Sequence, residues 1–501
     1  MKIAGVKTSF LSTVHIATLL LIIIVSGCKC NWQKPLPAPD WRTYLDTAPY
    51  SKPPADPYKQ MIVWLKPGTT GEQFSQWLKD SIVKNGNFKD LSIRFVCGSC
   101  DSSLFLLEGK AVEVYMQGDV AKGGSSSKSK SKVTGESGPL YFSTNFPVHF
   151  PEDHPGAFDG NTFKNNVQYS DAVVKVAVFD TGLDTSLIGS SALYTAVDSA
   201  CIPGGSTGWN FTKGDSNWKD DNAQKHGTTV SKFIANEVER YQKNSIQILP
   251  VKVFGSDGTG DLFSILCGFA YAHNRKVDII NASFGFYESI YKYDSVGKEL
   301  RDTTSPVLLK SFIEYYLTKN NILLITAAGN KDDAIEDPEY NPVDSLQKRN
   351  LDSVHFYPAS LSAQLPNIIA VTTTYKDLVS PAQNFSNKII DVGVNADFID
   401  QSGRFVFVNP INNKLPPVSG SSFAAPVATG KFTAWYHLYK PMLQQPISIT
   451  MRDSIFSILK NQPDPRFMYN LQGLANKIKE GKVIDKTNNT PATNQGKSSR
   501  K

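Results

Sequence analysis

Three short segments hold the residue types needed for acyl transfer to an activated hydroxyl. The apolar run Val173–Phe179 ends in Asp180-Thr181-Gly182, a helical pattern opens at His226-Gly227-Thr228, and Gly420-Ser421-Ser422-Phe423-Ala424-Ala425-Pro426 sets a serine at the head of another helical pattern. In such chemistry a histidine takes the serine proton, and an aspartate holds the imidazole in the right tautomer and stabilises its cation. Each segment alone has an ordinary reading: a strand-end turn, a capped helix start, or a helix opened by a small residue. Their joint presence in the order Asp, His, Ser gives them weight. A Ser, Asp, His order, as in α/β-hydrolases, needs a histidine after Ser422. Only His437 follows, on the same expected helix.

Such residues must be held by secondary structure. Between 141 and 474 the runs Val173–Phe179, Ile248–Val253, Val277–Asn281, Ile322–Thr326 and Ile368–Val371 read as buried parallel strands. Between them lie helical patterns over His226–Arg240, Asp261–Asn274 and Ser305–Lys319; in the last, Leu308, Leu309, Phe312, Ile313, Tyr316 and Leu317 form one apolar stripe. This alternation predicts an α/β fold, a mainly parallel sheet with helices on both faces. Reactive groups then belong at the carboxyl ends of strands, where Asp180 falls.

With two further segments, Asn281-Ala282-Ser283-Phe284-Gly285 and Ala327-Ala328-Gly329-Asn330, residues of about 165–462 resemble the catalytic domain of the subtilisin-like serine proteases, the subtilases. Tyr357-Pro358-Ala359, Ile369-Ala370-Val371 and Phe385-Ser386-Asn387 recur in place as well. The resemblance implies a serine endopeptidase with Asp180, His226 and Ser422 as its triad. Asn330 is implied as the side-chain donor that completes an oxyanion hole with the Ser422 backbone N–H. It also implies that Ser283, Phe284 and Gly285 pair with extended polypeptide substrate, that Ala327, Ala328 and Gly329 floor the pocket for the residue before the scissile bond, and that Gly258 with Thr259-Gly260 supplies a further backbone edge. The family's motif makes the second serine the reactive one, hence Ser422 and not Ser421. No cofactor is implied. The stretch from His226 to Ile248 is too short for the calcium loop of many subtilases, so no metal is expected, and His149, Asp153 and His154 read as a solvated loop. The Gly/Asp-rich stretch from Gly204 to Asp221 reads as a surface excursion, the other reading being a loop that shapes substrate access. The alternative function is a catalytically inactive subtilase-fold lipoprotein serving as a binding or scaffolding module.

The remaining chain divides around this unit. Lys2 and Lys7 precede an apolar run, Ile16 to Val25, too short for a membrane helix and suited to a signal peptide over 1–27. Val25-Ser26-Gly27-Cys28 resembles a bacterial lipobox, which implies a lipidated Cys28; the competing reading is an ordinary signal peptide cleaved near Gly27. A Pro-rich tether follows over 28–57, then a small α+β unit over 58–117 with strands at Gln60–Leu65, Leu91–Val96 and Leu104–Leu107 and a helix at Glu72–Lys84. This unit resembles, more faintly, the inhibitory propeptides of subtilases, which makes it an expected inhibitor of its own catalytic domain. Residues 118–140, rich in Gly, Ser and Lys, read as a protease-sensitive linker. The catalytic domain is expected over 141–474 and a basic disordered tail over 475–501. The whole is expected to be exported and membrane-anchored as a periplasmic or cell-surface lipoprotein, with the catalytic domain released if the linker is cut. With Cys28 lipidated, Cys30, Cys97, Cys100, Cys201 and Cys267 are an odd set that cannot all pair in one molecule. Cys97-Gly98-Ser99-Cys100 reads as a local disulfide or two idle thiols, not as a redox or zinc site.

Charge excludes one class of partner. The 501 residues carry a formal +6, yet residues 141–474 hold 28 Lys/Arg against 33 Asp/Glu. A nucleic-acid enzyme needs positive charge on its folded body. Here the body is mildly acidic and the basic residues sit around it.

Overall fold

The computed structural model describes residues 42, 45–46, 59–82, 91–94, 97, 100–117, 134–149, 173–188, 192–195, 201–241, 246–287, 289–293, 299–303, 306–330, 349–439, 451–461, 464, 466–468 and 470–485. The signal segment, Cys28, most of the Pro-rich tether and residues 486–501 lie outside them.

The N-terminal unit is built on β1 (Gln60–Leu65), whose six residues are all buried. Helix α1 (Gly71–Trp77) starts at a capping box: Thr70 Oγ1 accepts the Gln73 N–H at 3.3 Å, and the Gln73 side chain accepts the Thr70 N–H at 2.8 Å. There follow β2 (Ser92–Arg94), β3 (Leu104–Glu108), helix α2 (Lys110–Gln117), β4 (Thr134–Ser137) and β5 (Leu140–Thr144). These strands form one sheet in the order β2, β3, β1, β5, β4, with Leu45–Asp46 outside β2. The expected boundary at 117 is therefore corrected, because residues 134–144 complete this sheet. Leu140 and Phe142 enter its core, and β5 supplies the second neighbour that a central strand such as β1 requires. Five residues behind a Gly/Ser/Lys run carry too little apolar pattern to announce this.

Both faces of β1 are covered. Met61, Val63 and Leu65 join Phe105, Leu107 and Phe142 under α1 and α2, packed on Phe74, Trp77, Val112 and Met116. Ile62, Trp64, Leu104 and Leu106 point the other way, as a period of two requires, into the core of the larger unit.

A short strand, β6 (Pro147–His149), leads out of the first sheet. The larger unit then runs β7 (Val174–Asp180), α3 (His226–Tyr241), β8 (Ile246–Lys252), β9 (Thr259–Asp261), α4 (Leu262–Asn274), β10 (Ile279–Ala282), α5 (Val307–Tyr316), β11 (Leu323–Ala327), β12 (Ile368–Tyr375), β13 (Val392–Asn395) and α6 (Ser421–Tyr439). After α6 come α7 (Met451–Asn461), β14 (Phe467–Met468) and β15 (Val483–Asp485). Its ten-stranded sheet has the order β14, β15, β13, β12, β11, β10, β7, β8, then Trp209–Asn210, with Leu378–Val379 beside β12. All neighbouring pairs from β15 to Trp209–Asn210 are parallel. Val174, Val176 and Val178 face α3 and α6, while Ala177 and Phe179 face α4 and α5. The chain leaves β7 on one side for β8 and returns on the other for β10, so β7 is the switch point, and its carboxyl end is where such sheets carry a site.

Two more expectations are corrected. Residues 475–485 are not tail: Ile478, Val483 and Ile484 are buried, and β15 pairs in parallel with β13. A three-residue strand among basic residues gives no periodic signal. The cysteines also pair otherwise than expected. Cys97 is bonded to Cys267 and Cys100 to Cys201, with Cα separations of 5.1 and 4.8 Å. The Cys97–Cys100 turn lies on the side of the N-terminal unit that packs on α4, which carries Cys267. The pairing follows from docking of the two units and not from the spacing of one pair along the chain.

Candidate active site

Asp180 is the last residue of β7 and His226 the first of α3. His226 Nδ1 lies 2.8 Å from Asp180 Oδ1, and both side chains are 2% exposed. The same oxygen accepts the Thr181 N–H at 2.7 Å. The Asp180 carbonyl accepts N–H groups from Val253 at 3.0 Å and Phe254 at 3.3 Å, which fixes the strand end to the chain leaving β8. Gly227 is needed where helix and strand end meet: a Cβ there would lie 2.3 Å from the Gly182 carbonyl oxygen.

A buried acid that the sequence did not single out organises this junction. Asp220 is wholly buried. Its Oδ2 accepts from the Thr228 N–H at 2.9 Å and the Thr228 hydroxyl at 2.7 Å, and its Oδ1 from the Thr181 hydroxyl at 2.9 Å and the Asn222 N–H at 3.2 Å. The Thr181 hydroxyl in turn accepts the Gly227 N–H at 2.9 Å. Burial pushes the Asp220 carboxyl up, and the nearby Asp180 adds to this; the Thr228 and Thr181 hydrogen bonds oppose the rise only in part, and the net shift is upward. Lys252, buried at the end of β8, donates to the Thr181 carbonyl and to Asp221 Oδ1, the latter at 2.8 Å. The stretch 204–221 is thus no mere surface excursion: Trp209–Asn210 extends the main sheet, Phe211 is buried, and Asp220 sits under the strand end. Asp-Asp-Asn before a histidine reads as loop because residue type does not reveal which acid turns inward.

Helix α6 opens at Ser421-Ser422, and its first turn packs beside α3, with the Phe423 ring 5.0 Å from that of His226. The two serines differ in their engagements. Ser421 Oγ donates to Asn330 Oδ1 at 3.2 Å and accepts the Gly329 N–H at 3.0 Å. Ser422 Oγ is buried and makes no hydrogen bond to any described residue. Asn330 follows β11, and its Oδ1 also accepts the Ser421 N–H at 3.0 Å. The amide is thereby anchored through its oxygen, leaving its NH₂ as the donor end. Gly329, at φ +93°, makes the turn that delivers it.

The segments expected to meet substrate lie at or after the ends of β10 and β11 and before β9. Ala327 and Ala328 are buried at the end of β11. Ser283, Phe284 and Gly285 follow β10; Asn281 donates to Ser283 Oγ at 2.9 Å and accepts from Thr429 of α6 at 2.8 Å, joining this segment to the serine helix. The Phe284 ring turns inward onto Phe254, centroids 5.1 Å apart. Gly258 itself makes a turn at φ +74°, and the backbone edge beyond it is β9. That edge is already covered: β6 pairs antiparallel with β9, His149 opposite Thr259 and Val148 opposite Gly260. His149 therefore lies in a strand and not in a solvated loop, while Asp153 and His154 fall outside the described residues.

Residues 171–467 match the Subtilase family, Peptidase S8. The chain is 25% identical over 305 residues to the minor extracellular protease Epr of Bacillus subtilis, across 60% of this chain and 37% of that protein. It is 28% identical over 264 residues to the major intracellular serine protease of the same organism, across 51% and 66%. The match spans less than two thirds of either relative. Among solved structures, the epidermin leader peptide processing serine protease of Staphylococcus aureus aligns with a TM-score of 0.50 at 16% identity, over 85% of this chain and 97% of that one, a likeness of fold.

Proposed function

The chain belongs to the subtilase family, and from that premise we propose that it is a serine endopeptidase acting on extended polypeptide through Asp180, His226 and Ser422. The observation that carries this reading is the buried Asp180–His226 pair, 2.8 Å apart, beside a helix start whose Ser422 hydroxyl has no hydrogen bond to any described residue. Asp180 accepts the Nδ1 proton of His226, so Nε2 is the basic nitrogen. Ser422 Oγ attacks the substrate carbonyl as Nε2 takes its proton; the imidazolium, stabilised by Asp180, then protonates the leaving amine. Water hydrolyses the acyl-enzyme by the same route. The oxyanion is met by the Asn330 NH₂ and the Ser422 N–H. Engagement of Ser421 by Gly329 and Asn330 supports Ser422 over its neighbour as nucleophile.

The N-terminal unit acts in this reading as an intramolecular inhibitor. Pairing of β6 with β9 supports it, since it fills the edge that an extended substrate would use. Export as a lipoprotein through Cys28 completes the proposal. The Cys97–Cys267 and Cys100–Cys201 disulfides support an oxidising compartment.

A fluorophosphonate needs only the activated serine, so it tests the centre directly. The chain cut between β6 and β7, where the strand that covers the substrate edge can leave, is expected to be labelled, and the uncut chain more slowly. Ser422→Ala should lose labelling and about a millionfold of peptide hydrolysis, by the scale of subtilisin triad deletions, and Ser421→Ala should remain labelled. A folded chain that takes no label after that cut would favour the inactive binding module; label retained in Ser422→Ala would overturn the assignment.

A further inference from the structure

The two disulfides cross the same boundary. Cys97 and Cys100 precede the Gly/Ser/Lys segment 118–133, while Cys201 and Cys267 follow it. We propose that the segment before this linker is a permanent second chain of this protein: a cut anywhere between residues 101 and 200 leaves two pieces that remain one covalent molecule, divisible only by reduction of both disulfides.

The staple reinforces an interface that is already built. Ile62, Trp64, Leu104 and Leu106 share one apolar core with Leu266, Phe269, Phe312 and Ile313 of the larger unit. The Trp64 ring lies 5.0 Å from that of Phe312. Asn145, buried between the units, donates to Gln60 Oε1 at 2.8 Å and accepts the Phe263 N–H of α4 at 3.0 Å. Both disulfides lie in this contact, and Cys97, Cys201 and Cys267 belong to its core. A cut in the linker would also leave β1 hydrogen-bonded to β5 across the break.

This changes what linker cleavage can do. Release of the catalytic domain by cleavage alone, as expected for a dissociating propeptide, is incompatible with the pairing. Whatever holds the N-terminus would hold the enzyme after cleavage. Division requires a reductant such as a dithiol: each protein disulfide takes two electrons and two protons and becomes two thiols, while one dithiol becomes a disulfide. Two dithiols are consumed per molecule divided. The linkage stands whether or not Ser422 is the nucleophile, and its test needs no activity.

A site-specific protease sequence inserted between Ser126 and Ser127 of the full chain allows one defined cut. After cutting, denaturing electrophoresis without reductant should show one species of full mass, and with dithiothreitol two. The Cys97→Ser, Cys100→Ser double variant should separate without reductant. Two fragments from the unsubstituted chain without reductant would overturn the proposal. Should the double variant not fold, mass-spectrometric mapping of the unreduced wild-type chain decides: Cys97–Cys267 and Cys100–Cys201 peptides support it, and a Cys97–Cys100 peptide overturns it.

Discussion

Asp220 binds Thr228 through both backbone and hydroxyl, and so ties the first turn of the helix that begins at His226 to the strand end that carries Asp180. An aspartate is suited to this place because its two oxygens face four donors, from Thr228, Thr181 and Asn222. Asparagine has one acceptor oxygen and would turn an NH₂ toward donors. Asp220→Asn should therefore lower stability by about 1–3 kcal/mol, the cost of buried groups left unsatisfied, and lower kcat more than KM because the His226–Asp180 geometry loosens. A thermal melt with steady-state kinetics on a peptide checks both; an unchanged kcat in a destabilised variant would reduce Asp220 to a purely structural role.

Removing the Asn330 side chain tests the oxyanion donor. Asn330→Ala should reduce kcat about 10²–10³-fold with KM little altered, the scale for one lost oxyanion donor. Because Asn330 Oδ1 also holds the Ser421 N–H, Asn330→Asp keeps that acceptor while it replaces the donor by an oxygen whose charge also repels the oxyanion. A loss in Asn330→Asp at least as large as in Asn330→Ala would assign the effect to donation and not to the Ser421 contact; full activity in Asn330→Asp would contradict it.

Behind the site, Lys431 of α6 and Glu237 of α3 form a fully buried pair at 3.0 Å. Burial pulls the lysine pKa down, and Glu237 opposes that shift. Glu237→Gln, which removes the carboxylate from a buried ion pair, should destabilise by up to about 3–5 kcal/mol, whereas replacing both by apolar residues of similar volume should cost much less. Urea unfolding of the single and double variants measures the difference.

Asp352 gives the sign of an acid transition. Burial raises its pKa, but hydrogen bonds from Ser386 and Lys388 outweigh burial, and the net shift is downward. A carboxylate held below its ordinary value stabilises the fold above that value, and this contribution is lost as pH falls through the lowered one. Stability should decline on acidification below about pH 4, and Asp352→Asn should flatten that decline. A melting-temperature series against pH reads it directly.

How far the sequence disclosed this molecule depended on the length of each apolar pattern. The core strands β7, β8, β10, β11 and β12 were legible because residues buried on both faces leave continuous apolar runs, and α5 because its stripe repeats at helical spacing. Asp180 at a strand end and His226 at a helix start were legible for the same reason, since each adjoins such a run. Short strands were not. β4, β5 and β15 span three to five residues, and the partners that bring β5 and β15 into their sheets, β1 and β13, lie far along the chain. Asp220 and the cysteine pairing were hidden for a different reason: which acid turns inward, and which thiols meet, is decided by how the two units dock.

The two-sided burial of β1 has a bearing on biosynthesis. A chain made from its N-terminus completes Ile62, Trp64, Leu104 and Leu106 more than 150 residues before it completes the helix carrying Phe269. An apolar sheet face with nothing yet to cover it becomes a template: the later helices α4 and α5 emerge onto a surface already shaped to receive them, and vectorial synthesis gives the fold its order of assembly.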